Sequence, residues 1–232
     1  MNDSSTRTLD RLGAAAGVAA VLLLLVIFTS MPALPAPNKP VSEIVRKATA
    51  DRDALLLGAY LGALLTGALL VFGASFAARL RRAEGDGGGW WLLALAGIAG
   101  TAVGIVSDAL VVTFVRAVGH GARGDALWIG YGGDHWIGVL TAIPLAVFFL
   151  GAGCGARESG LLPRWLTWLA LGLAGAFVLG GASVTGGEVD GGVLGTLLVL
   201  AYLGLMIWIV GTSVSMLRRP MPLARPVAAA IG

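Results

Sequence analysis

Asp108 is the one acidic side chain lying well inside a long apolar run, which makes it the residue of this chain best placed to do chemistry. An ionised carboxylate within a bilayer costs at least ~2.5 kcal/mol on insertion scales, so such groups are rare and tend to be paired or functional. Asp108 precedes Arg116 by eight residues, roughly 12 Å along a helix, which puts it in the outer half of its span. Ala96, Gly100 and Gly104 precede it at four-residue spacing. Small residues let helix backbones meet closely inside lipid, so the carboxyl is expected to face a neighbouring helix. Two readings stand: a structural acid, protonated or reached by Ser107, Thr113 or the next helix, and a general acid or proton carrier.

A second group lies outside the apolar runs. His120 and His135 fall in a predicted external loop, residues 117 to 135, with Arg123, Asp125, Tyr131 and Asp134, and Glu188 and Asp190 close the same face from a shorter loop. His120, Asp134, His135, Glu188 and Asp190 are therefore the candidate ligand-binding residues. Two imidazoles beside carboxylates could hold a divalent ion such as zinc, yet the spacing fits no compact zinc signature, and a hydrated loop is naturally this polar. No metal and no cofactor is assigned. The single cysteine, Cys154, allows no internal disulfide. The chain carries no phosphate loop, nucleophile elbow, HExxH motif or intramembrane lysine.

The elements that must position these residues follow from composition. Hydrophobic residues make up 57% of the 232 and charged residues 12%, against ~45–50% and ~25% in soluble domains. A hydrocarbon core of ~30 Å is crossed by about 20 helical residues. Stretches of that kind, uncharged but for Asp108, occur at 13 to 31, 55 to 78, 90 to 115, 136 to 154, 165 to 185 and 193 to 217. A β-barrel would alternate apolar and polar residues, and runs such as Val21 to Phe28 do not. Backbone groups in lipid must bond within the protein, so these runs imply helices. The expectation is a single all-α domain, a six-helix transmembrane bundle in the lipid bilayer. An alternative for the first run is a secretory signal, since Arg7 and Arg11 precede it and Ala-rich sequence follows.

Charge suggests orientation. Lys and Arg accumulate in short cytoplasmic loops, and with the N-terminus inside, ten of the sixteen basic residues are cytoplasmic: Arg7, Arg11, Arg79, Arg81, Arg82, Arg157, Arg164, Arg218, Arg219 and Arg225. Both termini are then cytoplasmic, in a bacterial inner membrane. The +3 net charge is spread over helix ends rather than gathered in a patch, so nucleic acid is not an expected partner. Trp90, Trp91, Trp165, Trp168 and Trp208 near inner ends and Trp136 near an outer one match an interfacial aromatic belt. Prolines 32, 35, 37 and 40 keep the first external loop irregular. Ser42 is expected to cap a helix running on into the second span, and Pro144 to kink the fourth. Residues 1 to 116 and 117 to 232 show no internal repeat, which weighs against a transporter built from paired halves.

The turn Ser159 to Leu166, read Ser-Gly-Leu-Leu-Pro-Arg-Trp-Leu, resembles the cytoplasmic turn of bacterial membrane proteins of domain of unknown function 4386. The six-span layout and the basic cluster Arg79, Arg81 and Arg82 resemble that family too. The resemblance implies a six-helix membrane protein and carries no activity or catalytic residue with it. The leading expectation is a non-enzymatic protein that binds a hydrophobic small molecule or a membrane-protein partner. The rivals are an intramembrane enzyme using Asp108 as general acid on an isoprenoid or lipid-like substrate, and a proton-linked transporter of small solutes.

Overall fold

The computed structural model describes residues 3–32, 35, 39–120, 125–185 and 192–218. Nine α-helices are found among them: α1 (Asp3–Ser30), α2 (Val41–Ala50), α3 (Arg52–Glu84), α4 (Trp90–Gly100), α5 (Val103–Gly119), α6 (Asp125–Leu140), α7 (Ala142–Ser159), α8 (Arg164–Gly181) and α9 (Val193–Arg218). Six spans long and apolar enough to cross a membrane follow from them, with α4 and α5 forming the third and α6 and α7 the fourth. The protein is thus an all-α, multi-pass membrane bundle.

Successive spans pack side by side, and α9 closes back on α1, so the six form a ring in chain order. The ring is filled. Trp208 is fully buried at its centre, with Phe149, Phe76, Phe148 and Phe72 at 5.1, 5.3, 5.7 and 6.0 Å between ring centroids. Its indole N–H donates to the Leu166 carbonyl at 3.0 Å, which satisfies the one polar group the side chain buries. The expected interfacial place for Trp208 is therefore wrong. Trp165 and Trp168 do stay exposed, as a belt requires.

Glycines set how closely the helices approach. Gly13 and Gly17 of α1 face α3 and α9: a Cβ on Gly17 would meet Phe72 at 2.7 Å and Ile209 at 3.0 Å. The first run is built into the bundle through this face. Between α4 and α7, Gly97 and Gly100 sit against the backbone and ring of Pro144.

The third span is broken rather than continuous. At Thr101 and Ala102 the backbone changes to tighter turns, with Gly104 N–H donating to Thr101 at 2.9 Å and the Thr101 hydroxyl to the Ile98 carbonyl at 2.6 Å. The break shifts the phase of the helix, so Ala96 is exposed and Gly97 takes the close contact expected of it. Pro144 acts as expected on the fourth span: helix α6 ends at Leu140 and α7 begins at Ala142, just before it.

The largest departure lies in the expected external loop, residues 117 to 135. Residues 125 to 135 are helical, as the first part of α6, and not loop. Leu127 and Tyr131, four residues apart, are 3% and 5% exposed and pack with Phe114 and Val115 of α5 and Ile44 and Ala48 of α2. Gly130 and Gly133 lie against Phe114 and Leu110, so they bring helices together where loop breakers were expected. Helix α2 starts at Val41 with Pro40 as its cap, two residues earlier than the expected Ser42 cap, and is interrupted at Asp51 before the second span begins.

Candidate functional site

Asp108 lies on α5, and its carboxyl packs directly against Gly62 of α3. One turn along the same contact, Gly104 sits 3.3 Å, measured from a Cβ position, from the Thr66 hydroxyl oxygen. Glycine at 62 leaves room for the carboxyl; any side chain there would occupy it. Thr113, one possible partner, spends its hydroxyl on the Ala109 carbonyl at 2.8 Å. Asp108 faces a neighbouring helix as expected, with its carboxyl against Gly62.

The second group is not gathered into one site by the described residues. His120 is exposed at the carboxyl end of α5, where its N–H donates to the Arg116 carbonyl at 3.1 Å. Asp134 and His135 have their backbone on α6, while their side chains lie outside the described part. Glu188 and Asp190 lie outside the described residues altogether. Tyr131, read as part of a polar loop, is a core residue whose hydroxyl donates to the Pro35 carbonyl. Among the described residues no group of three or more His, Cys, Asp or Glu could hold a metal.

Sequence reasoning missed a charged cluster at the opposite end. Asp10 of α1 is 8% exposed and Arg79 of α3 only 3%. Arg79 Nη1 donates to Asp10 Oδ2 at 3.0 Å and to the Met216 carbonyl of α9 at 3.1 Å, and Arg82 Nη2 donates to Asp10 Oδ1 at 2.9 Å. Three spans are tied together by one carboxylate and two guanidinium groups. Arg79 is therefore a buried tie and not a surface charge. One signal could have revealed it: Asp10, Gly13 and Gly17 are spaced 3 and 4 apart, on one helix face.

The described surface also holds a lipid-facing groove of about 470 Å³ between α7 and α8. Ile143, Ala146, Val147 and Leu150 form one wall and Leu171, Ala174, Gly175, Val178 and Leu179 the other. No ionisable residue lines it. Gly175 has open space where a side chain would stand, which gives the groove its depth. No family model, curated protein or solved structure matches the chain.

Proposed function

We propose that this bundle is a non-catalytic membrane protein that takes a hydrophobic small molecule from the bilayer into the groove between α7 and α8. The observation that carries the reading is the groove itself, whose volume of about 470 Å³ falls in the ~300–1,000 Å³ range of small-molecule sites. Its wholly apolar lining selects by burial and not by charge. An intramembrane enzyme would need Asp108 in a cavity with a second acid; the contact described for its carboxyl is with Gly62 of α3. A transporter would need cavities meeting inside the bundle, and the centre of this one is packed with Trp208 and its phenylalanines.

The test is photolabelling of the full chain in nanodiscs with a diazirine-bearing isoprenoid alcohol. Labelled peptides should map to 143–150 and 171–179. Gly175→Phe, which fills the groove from an open position, should abolish most of that labelling, and Asp108→Asn should leave it unchanged. Uniform labelling of all lipid-facing helices, or labelling indifferent to Gly175→Phe, would sink the reading.

The proposed setting is a bacterial inner membrane with both termini cytoplasmic. Supporting it, Arg11, Arg79, Arg81, Arg82, Arg157, Arg164 and Arg218 all occupy helix ends on the side of the bundle where α1 begins.

A further inference from the structure

A second groove, of about 660 Å³, lies between α1, α3 and α4 at the arginine-rich end. Its chemistry differs from that of the α7–α8 groove. Leu9, Ala74, Ala78 and Leu95 give it apolar walls, and Arg81, Arg82 and Trp91 line it at its charged end. From Ala74 to Arg82 is eight residues, roughly 12 Å along α3, so the groove passes from apolar to cationic over the depth of a headgroup and the first part of an acyl chain.

The cations there are not all committed to the protein. Arg79 is held by Asp10 and the Met216 carbonyl. Arg82 gives one nitrogen, Nη2, to Asp10, while its Nε and Nη1 are buried without a hydrogen-bond partner among the described residues. The Arg81 guanidinium stacks 4.9 Å above the Trp91 ring, which fixes its plane beside the groove without using its donors. The nearby Glu84 carboxylate faces the amides of Trp90 and Trp91 at the start of α4 and packs against Gly155. The exposed Arg81, with its donors uncommitted, and Arg82 beside it as a second positive charge stand above an apolar slot, which complements a phosphate ester carrying hydrocarbon chains.

We infer that this groove is a binding site for one anionic phospholipid, its phosphate held by Arg81 and Arg82 and an acyl chain laid along Ala74, Ala78 and Leu95. Trp91 forms the rim at the membrane interface.

The test uses the full-length protein purified in neutral detergent and mixed with equal phosphatidylglycerol and phosphatidylcholine, with bound lipid counted by native mass spectrometry. One phosphatidylglycerol should be retained at about tenfold preference over phosphatidylcholine, as one exposed and one part-buried arginine allow. Arg81→Gln with Arg82→Gln should bring that preference to near parity. Arg82 also touches Asp10, so Ala74→Phe serves as the variant that keeps the ion cluster intact; it should reduce retention of phosphatidylglycerol by blocking the slot. Excess inorganic phosphate should not displace the lipid. Equal retention of the two lipids, retention unaffected by Ala74→Phe, or displacement by free phosphate would each overturn the assignment.

Discussion

The charged residues of this chain separate by burial, and burial sets what each is worth. Asp10 and Arg79 are nearly out of water, so removing one partner strands the other in a low-dielectric contact between three helices. Asp10→Asn is expected to destabilise the protein by about 3 kcal/mol in denaturant unfolding in micelles. Lys47 and Asp51 form a pair of similar length, 2.9 Å, with 42% and 30% of their side chains exposed, and Lys47→Ala should cost under ~0.5 kcal/mol. Equal losses for the two would contradict this account. Trp208 is the apolar counterpart of the Asp10 cluster. Trp208→Leu removes the bond to the Leu166 carbonyl and leaves a void among four phenylalanines, and should cost about 3 kcal/mol in the same unfolding measurement. Asp108 belongs with these packed groups. Gly62→Leu would fill the space its carboxyl uses, so that variant should unfold more readily than wild type.

Helix contacts in this bundle are decided by where glycine meets backbone. At Gly97 an added methyl would stand 2.7 Å from the Pro144 carbonyl oxygen and 2.6 Å from the Phe148 Cα, atoms that cannot turn aside. Gly97→Ala should lose roughly 1–3 kcal/mol by overpacking. Gly67 on α3 has open space around it, and Gly67→Ala should gain up to about 1 kcal/mol, because glycine is a poor helix former. A shared sign for the two would show that helix propensity, and not the α4–α7 contact, governs these sites. Four-residue spacing could not tell the two kinds of glycine apart. The stripe Ala96, Gly100, Gly104 and Asp108 assumes one unbroken helix, but the break at Thr101 rephases it, and Gly100 turns to Pro144 while Gly104 and Asp108 turn to α3. Helix α6 shows the same limit. Three glycines and several polar residues between 130 and 135 have the composition of a loop, yet Leu127 and Tyr131 bury against α2 and α5 and hold the segment helical.

At the scale of the molecule, the ring of six spans surrounds an aromatic centre, and both grooves open on its outer surface. A periplasm-active reporter fused after residue 225 should be silent and a cytoplasm-active one bright; the reverse would overturn the orientation and, with it, the leaflet of the anionic-lipid groove. The number of spans and their helical class were determined by sequence, because twenty apolar residues in lipid have one way to satisfy their backbone within the segment. Asp108 as an intramembrane acid facing a helix was legible too, since a carboxylate turned to lipid is costly anywhere well inside a span. What tertiary structure alone decided is which residues meet. Asp10 reads as a soluble-flank acid until Arg79, sixty-nine residues later, is brought beside it, and Trp208 reads as interfacial until four phenylalanines from two other spans surround it. Hydropathy measures each segment against lipid. Pairing between segments depends on helix rotation and on breaks such as Thr101, and no local pattern specifies those.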